Sequence, residues 1–185
     1  MTEQNKSAAK ICLNFGLLIS GALIAASFIL VKNESSILIN SDLDSINYMI
    51  CISGLFMTIR KLRSDILPFI TYWQSTLAGL LTISIAAIPF SIFLYFVLST
   101  YPEIISNAIA ITEKTFKANN IIGEETNTFL SLYKALATPA FMAFGNFINK
   151  IIMGFFFSLI LSSFLSRKKY LPNNNNSTNF DDKEQ

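Results

Sequence analysis

The sequence predicts an all-α, polytopic membrane protein in which one domain, residues 11–170, holds four transmembrane helices. Hydrophobic residues make up 52% of the chain and charged residues only 14%, whereas a soluble domain carries about 25% charged residues. Long runs without any charge recur along the chain, and Lys and Arg cluster at their ends. Such a chain has too little polar surface to coat a water-soluble globule, so we expect it to lie in lipid.

The first span is predicted at residues 11–31, which contain no charged residue between Lys10 and Lys32. A transmembrane helix needs about 20 apolar residues, because each adds 1.5 Å across a hydrocarbon core of about 30 Å. The alternative is a cleaved secretory signal, since basic residues precede the run and Ala25–Ser27 resembles a cleavage site. The run continues through Phe28–Val31, which favours an uncleaved span.

The second span is predicted at residues 43–60 and is the shortest. Ser45–Ile59 is uncharged and lies between Asp44 and Arg60. It reaches spanning length only if Leu43 and the preceding Ile37–Ile39 take part, or if Arg60 extends its charged end towards water.

The third span is predicted at residues 71–100, within an uncharged stretch that runs from Ile66 to Pro102. Thr71 and Gln74 have the spacing of a capping box, which predicts a helix start. Trp73 suits the membrane interface, and Pro89 predicts a kink.

The fourth span is predicted at residues 146–166. It contains Lys150, which would lie about 25 Å along the helix from Arg167. We therefore expect Lys150 at the opposite interface, with its ammonium group reaching water rather than buried in the bundle.

The segment 101–139 predicts an amphipathic helical hairpin outside the membrane, between spans three and four. Pro102 and Glu103 are typical of a helix start, and apolar residues recur at helical spacing as far as Phe116. A second helix follows Gly123 and is closed by Pro139. A hairpin that only joins two spans is the preferred interpretation, and a lid over a substrate entrance is the alternative.

Lys and Arg in the segments that flank the spans predict the orientation. The clustered basic residues fall on one side: Lys6, Lys10, Arg60, Lys61, Arg63, Arg167, Lys168 and Lys169. The other side holds dispersed ones: Lys32, Lys114, Lys117, Lys134 and Lys150. Both ends, residues 1–10 and 171–185, are therefore expected in the cytoplasm. The Asn-rich end, 171–185, is expected to be disordered.

The predicted spans lack the residues that most membrane chemistry needs. Apart from Asp44 at the very start of the second span, they contain no Asp, Glu or His, which argues against ion-coupled transport and against acid–base or triad catalysis. Cys12 and Cys51 have no metal-ligand spacing. We expect no catalytic, cofactor-binding or metal-binding residues, no cofactor and no enzyme activity. A basic stripe with interleaved aromatics is missing too, so nucleic acid is not an expected partner.

Small residues at four-residue spacing are the most evident pattern inside the spans. In lipid, small side chains let helix backbones approach closely, and that packing drives association. The candidate packing residues are Gly16, Ser20, Gly21, Ala25, Ser75, Gly79, Gly154, Ser158 and Ser162. Contacts within the chain or in a homo-oligomer would both suit them.

Several short motifs occur in a recognisable order: Arg60–Asp65, Phe69–Gln74, Tyr101–Glu103, Pro139, Gly154, Ser158–Ile160 and Arg167–Lys169. In this order the chain resembles the domain of unknown function family 4199. The resemblance implies a small four-span protein of the bacterial inner membrane, and it implies no activity or functional residue. Pro68 and Trp73 depart from the family pattern, which has small residues there.

The function expected from these features is that of a non-enzymatic membrane component, such as a scaffold or accessory subunit. The alternative is a subunit of a small permease or channel, lined by Thr76, Thr82, Ser84 and Ser91. A second alternative is a lipid-acting membrane enzyme that uses Glu103 or Glu124. The expected partners are membrane lipids, with other membrane proteins or further copies of this chain as additional possibilities.

Overall fold

Six helices and no strand make up the part of the chain that the computed structural model describes, which is residues 3–33, 41–66, 70–118 and 124–165. They are α1 (Glu3–Asn33), α2 (Ser41–Asp65), α3 (Tyr72–Thr100), α4 (Glu103–Ala118), α5 (Glu124–Leu136) and α6 (Pro139–Leu165). The prediction of an all-α chain is confirmed. The predictions for the tail 171–185, for the basic residues 167–169 and for the turn at Pro68 lie outside the described residues.

Within the described ranges, three helices are long and apolar enough to cross a membrane: α1 over Asn5–Ile29, all of α3 and all of α6. The chain is therefore a membrane protein. The second helix, α2, is not among the three, because acidic residues at its start and basic residues at its end lower its mean hydropathy. Helix α6 begins at Pro139 rather than at residue 146. Proline suits a first helical position, and the Thr138 hydroxyl accepts a hydrogen bond from the Phe141 amide (3.3 Å).

Helix α3 occupies the centre of the bundle. It packs most extensively against α6 and α1, and α2 contacts α1, α3 and α6. The central core joins three of these helices through Ile19, Leu23, Cys51, Leu55, Ile83, Ala86 and Phe90. Large apolar side chains also cover the outside of the bundle, including Leu17 and Leu18, Leu77, Phe96, Phe156 and Phe164. An apolar exterior is what a lipid environment requires.

Two smaller clusters define the opposite ends of the bundle. At one end Cys12 of α1, Leu62 of α2 and Ile70 before α3 are buried together. At the other end Leu98 of α3 packs with Ile104 of α4 and with Met142 of α6. The basic stretch Arg60–Arg63 therefore lies at the same end as the start of α1, and α4 lies at the far end.

The start of α3 has the predicted capping box. The Thr71 amide donates to Gln74 Oε1 (3.0 Å), and the Gln74 amide donates to Thr71 Oγ1 (3.4 Å). Two backbone donors that the helix itself cannot satisfy are thus paired.

Replacing Thr71 by valine should lower the free energy of unfolding by about 1 kcal/mol, because the shape is kept while the cap acceptor is lost. Denaturant titration in detergent micelles would measure the loss. Thr100→Val is the matched control at the other end of α3, since the Thr100 hydroxyl donates only to the Phe96 carbonyl of its own helix (2.8 Å). Equal losses in the two variants would contradict a specific cap.

An ion pair and an aromatic pair join helices α4 and α5 among the side chains that the structure describes. Lys134 of α5 pairs with Glu113 of α4, and the Phe116 and Phe129 rings meet edge to face, with centroids 5.6 Å apart. The apolar side of α4, Ile104–Ala108, supplies buried residues Ile104, Ile105 and Ala108. The two helices are therefore joined to each other, and α4 is joined to the bundle.

The Glu113–Lys134 pair should make this contact pH-dependent. The hydrogen bond from Lys134 holds the pKa of the Glu113 carboxyl below its ordinary range. A lowered pKa adds stability above the unfolded pKa and loses it as the pH falls through the folded pKa. We expect the protection of the α5 amides, measured relative to their intrinsic exchange rates, to fall over that acidic range, and Glu113→Gln to remove this contribution. Lys114→Gln on the same helix is the control that should retain it.

Candidate functional site in the helix bundle

The interface between α3 and α6 is built on two glycines. A Cβ added at Gly154 would lie 2.8 Å from Cβ of Ile83, and one added at Gly79 would lie 2.9 Å from Cβ of Ser158. Both distances are shorter than real carbon contacts. The two helices therefore approach closely at the glycines, with Ile83 of α3 filling the space beside Gly154 of α6.

Five buried serine hydroxyls have no hydrogen-bond partner in the described part of the chain: those of Ser20, Ser75, Ser91, Ser158 and Ser162. Ser75 of α3 and Ser158 and Ser162 of α6 are fully buried. By contrast, the hydroxyls of Thr76, Thr82 and Ser84 donate to carbonyls one turn earlier in α3: Thr76 to Tyr72 (3.0 Å), Thr82 to Ala78 (2.8 Å) and Ser84 to Leu80 (2.8 Å). The interface is thus held by shape rather than by hydrogen bonds between helices.

Helix α1 contributes one close approach to α3. A Cβ at Gly16 would lie 2.9 Å from Ile85 Cβ and 2.9 Å from the Thr82 carbonyl oxygen, and Ser20, one turn later, is buried. Gly21 and Ala25 lie on the exposed side of α1, and no atom is within 4 Å of a Cβ at Gly21. Gly21 therefore makes no close helix approach to the described residues of the same chain.

Sequence reasoning missed one packing residue, Gly54 of α2. A Cβ there would lie only 2.5 Å from Ile19 Cδ1 of α1. Thr58 follows at four-residue spacing, and its hydroxyl donates to the Gly54 carbonyl (2.8 Å). That small-residue spacing was the available signal, and the structure places Gly54 against Ile19 of α1.

A buried lysine lies where α2, α3 and α6 meet. Lys150 of α6 is only 6% exposed, and its Nζ lies 5.1 Å from the centroid of the Phe90 ring and 5.9 Å from that of Tyr48. The expectation that this ammonium reaches water at the interface was wrong. Rings from the two neighbouring helices cover it, and a ring face attracts a cation electrostatically.

Two asparagines lie close in sequence to the residues of this contact, and the side-chain oxygen of each is buried. Asn146 precedes Lys150 by one turn of α6, and Asn47 precedes Tyr48 in α2. The side-chain oxygens of both amides have no hydrogen-bond partner among the described residues. We call Asn47, Tyr48, Phe90, Asn146 and Lys150 the Lys150 cluster. Its lysine is an ionisable side chain inside the bundle, where such groups are costly and usually functional.

Groups for covalent or metal chemistry do not converge elsewhere in the described part of the chain. No three His, Cys, Asp or Glu side chains there lie close enough to hold a metal ion. Cys12 and Cys51 are free and buried, and Glu103 is exposed at the start of α4. The Glu124 side chain is outside the described residues, and the absence of enzyme activity stays a prediction.

Comparison with known proteins gives one match. The family model described as Protein of unknown function (DUF4199) matches residues 14–167. Neither the curated proteins nor the solved structures include a match. The matched range covers α2 to α6 completely and α1 from Asn14, so it includes the glycine interfaces and the Lys150 cluster.

Proposed function

This chain belongs to the family described as Protein of unknown function (DUF4199), and from that premise we propose that it is a non-enzymatic, four-span membrane component, a scaffold or accessory subunit. The resemblance found in the sequence is thus confirmed, and it brings no activity with it. The close packing of α3 on α6 at Gly79 and Gly154 carries the proposal. An interior filled by helix contacts suits a component that holds other proteins in the membrane better than one that passes solutes.

The outward side of α2 supports a fourth span. Ile46, Met49, Phe56 and Met57 are exposed on that side, and no charged residue lies between Ser45 and Ile59. The inward side packs against α1 at Gly54. A helix that is apolar on both sides belongs in lipid, and snorkelling of Arg60 would extend its reach.

The distribution of charge supports cytoplasmic termini in an inner membrane. The Cys12–Leu62–Ile70 cluster brings the start of α1, with Lys10, to the same end as Arg60–Arg63. Basic clusters favour the cytoplasmic side. At the far end, α4 and α5 would form the extramembrane hairpin, with the apolar side of α4 against the ends of α3 and α6.

Cysteine accessibility along α3 tests the proposal against a water-filled path. On a background of Cys12→Ala and Cys51→Ala, we expect Ser75→Cys and Thr82→Cys to resist a charged, membrane-impermeant thiol reagent, because both positions are fully buried. Thr100→Cys, at the exposed end of α3, is the reactive control. Labelling of Thr82→Cys at the control's rate would contradict a packed interior.

Purification from native membranes in mild detergent tests the scaffold role itself. We expect the chain to leave the membrane with a stoichiometric membrane protein or with further copies of itself. Intact-mass measurement of the purified species identifies either outcome. A lone monomer at native expression would contradict the role.

The Lys150 cluster favours a second candidate, a subunit of a permease or channel for an anion. A cation buried among the helices could hold an anionic solute on its path. In that case Asn47→Cys, at a position only 4% exposed, should react with a negatively charged thiol reagent. The scaffold proposal expects no reaction there. The hydroxyls of Thr76, Thr82 and Ser84 weigh against this candidate, since each donates within its own helix.

A further inference from the structure

An open groove lies beside the C-terminal end of α2, and the part of it nearest that end is lined by arginines. It has a volume of about 500 Å³ and is lined by Phe56, Arg60, Arg63, Ser64 and Leu165. Four of these residues follow one stripe of α2, since positions three and four apart share a helix side. Leu165, the last residue of α6, forms the opposite wall.

The groove changes character along the helix axis. Phe56 and Leu165 are apolar, whereas Arg60 stands roughly 6 Å and Arg63 roughly 10 Å further along α2, at 1.5 Å per residue. The groove is therefore apolar at one end and cationic at the other. A phospholipid has the same arrangement, with an apolar acyl chain at one end and a charged phosphate at the other. Groove volumes of this size suit a small ligand or a headgroup.

The charges of the two arginines are available to a ligand. The nearest carboxylate in the sequence, Asp65, pairs with Lys61 (3.0 Å) and accepts a hydrogen bond from the Ser64 hydroxyl (2.5 Å). Within the described residues, neither Arg60 nor Arg63 has an acidic partner. Guanidinium groups bind phosphate oxygens through pairs of parallel hydrogen bonds.

We propose that this groove binds the phosphate group of an anionic phospholipid through Arg60 and Arg63, with an acyl chain against Phe56 and Leu165. The inference rests on the proposed four-span arrangement, which puts the end of α2 at the membrane surface. Basic pockets between transmembrane helices are typical sites for anionic headgroups. Arg63 could instead act only on the stability of α2, because a cation complements the helix dipole at the C-terminal end. That role would give no preference for anionic over neutral lipids.

Native mass spectrometry of the full chain in a neutral detergent tests the site. At about 0.15 M salt, charges more than about 8 Å apart are screened, so only a local site discriminates among headgroups. We expect phosphatidylglycerol to bind at least about ten-fold more tightly than phosphatidylcholine. Arg60→Gln with Arg63→Gln should remove most of that preference. Each lost basic residue should lower the affinity for phosphatidylglycerol roughly five-fold.

The matched control is Lys6→Gln with Lys10→Gln, which removes the same charge from the same end of the bundle. It should leave the preference within about three-fold of the unmodified chain, because screening weakens distant charges. Arg60→Lys with Arg63→Lys preserves charge and helix ending, so it guards against misfolding. We expect it to show an intermediate preference, because the paired geometry is lost.

Three results would overturn the assignment. One is an equal loss in the two double glutamine variants, and another is no preference for phosphatidylglycerol in the unmodified chain. The third is complete displacement of the lipid by millimolar inorganic phosphate, which would assign the groove to a soluble anion. The lipid-binding experiment and the cysteine labelling along α3 are independent readouts. A chain that binds no lipid at the groove can still have a packed interior, so failure of this proposal can be distinguished from failure of the proposed function.

Discussion

Replacing Gly154 by alanine is expected to destabilise the bundle by about 1–3 kcal/mol, the usual cost of overpacking a filled interior. The added methyl would lie 2.8 Å from Cβ of Ile83, and a branched side chain held in a helix has little freedom to move away. Leucine at this position should prevent the folded bundle from forming. Denaturant titration in mixed micelles, followed by circular dichroism, would measure both effects.

Gly145 supplies the matched control for this prediction. It lies in the same helix, and a Cβ there would meet no atom within 4 Å. Gly145→Ala should be neutral or stabilising by about 0.5–1 kcal/mol, because alanine favours the helix without a clash. Ile83→Ala should in turn relieve Gly154→Ala, so the double variant should lose less than the two single losses added together. Equal behaviour of the two glycine variants would contradict the close approach.

Lys150→Glu is expected to destabilise the protein by about 3–5 kcal/mol, the cost of leaving a buried charge without compensation. A carboxylate would face the electron-rich surfaces of Phe90 and Tyr48, which now lie 5.1 and 5.9 Å from the ammonium. The same titration would measure the loss. Lys114→Glu is the control, because Lys114 is exposed on α4 and surface changes are usually within about 0.5 kcal/mol.

Lys150→Met separates structure from function at the same position. Methionine has a similar length and no charge, and apolar replacement of buried charged groups is often neutral or stabilising. We expect Lys150→Met to fold at least as well as the unmodified chain. If the permease candidate were correct, this well-folded variant would lose transport. A loss of stability as large as that of Lys150→Glu would instead assign the ammonium a structural role.

The sequence was informative wherever one segment carried its own signal. The uncharged run at Ile11–Val31 predicted a helix that the structure contains, and the Thr71–Gln74 spacing predicted the cap that begins α3. Pro139 was interpreted as the end of one helix, although it begins the next. A proline suits either place, so its position alone could not decide.

Positions that depend on neighbouring helices could not be predicted in the same way. Counting residues from Lys150 gave its depth along α6 but not the direction of its side chain, which Tyr48 of α2 and Phe90 of α3 decide. Gly54 was missed because its partner, Ile19, lies on another helix. Gly21 shows the converse. Gly21 and Ala25 have the same four-residue spacing as Gly16 and Ser20, yet Gly21 lies on the exposed side of α1.

The unpartnered serines between α3 and α6 have a consequence for how relatives of this chain should vary. Ser158 and Ser162 gain no hydrogen bond from another helix, so alanine there should be tolerated and should drift freely with serine during evolution. Gly154 cannot drift in that way, because the space for a side chain is already filled by Ile83. We expect residues 83 and 154 to change together, with a larger residue at one position allowed only by a smaller residue at the other.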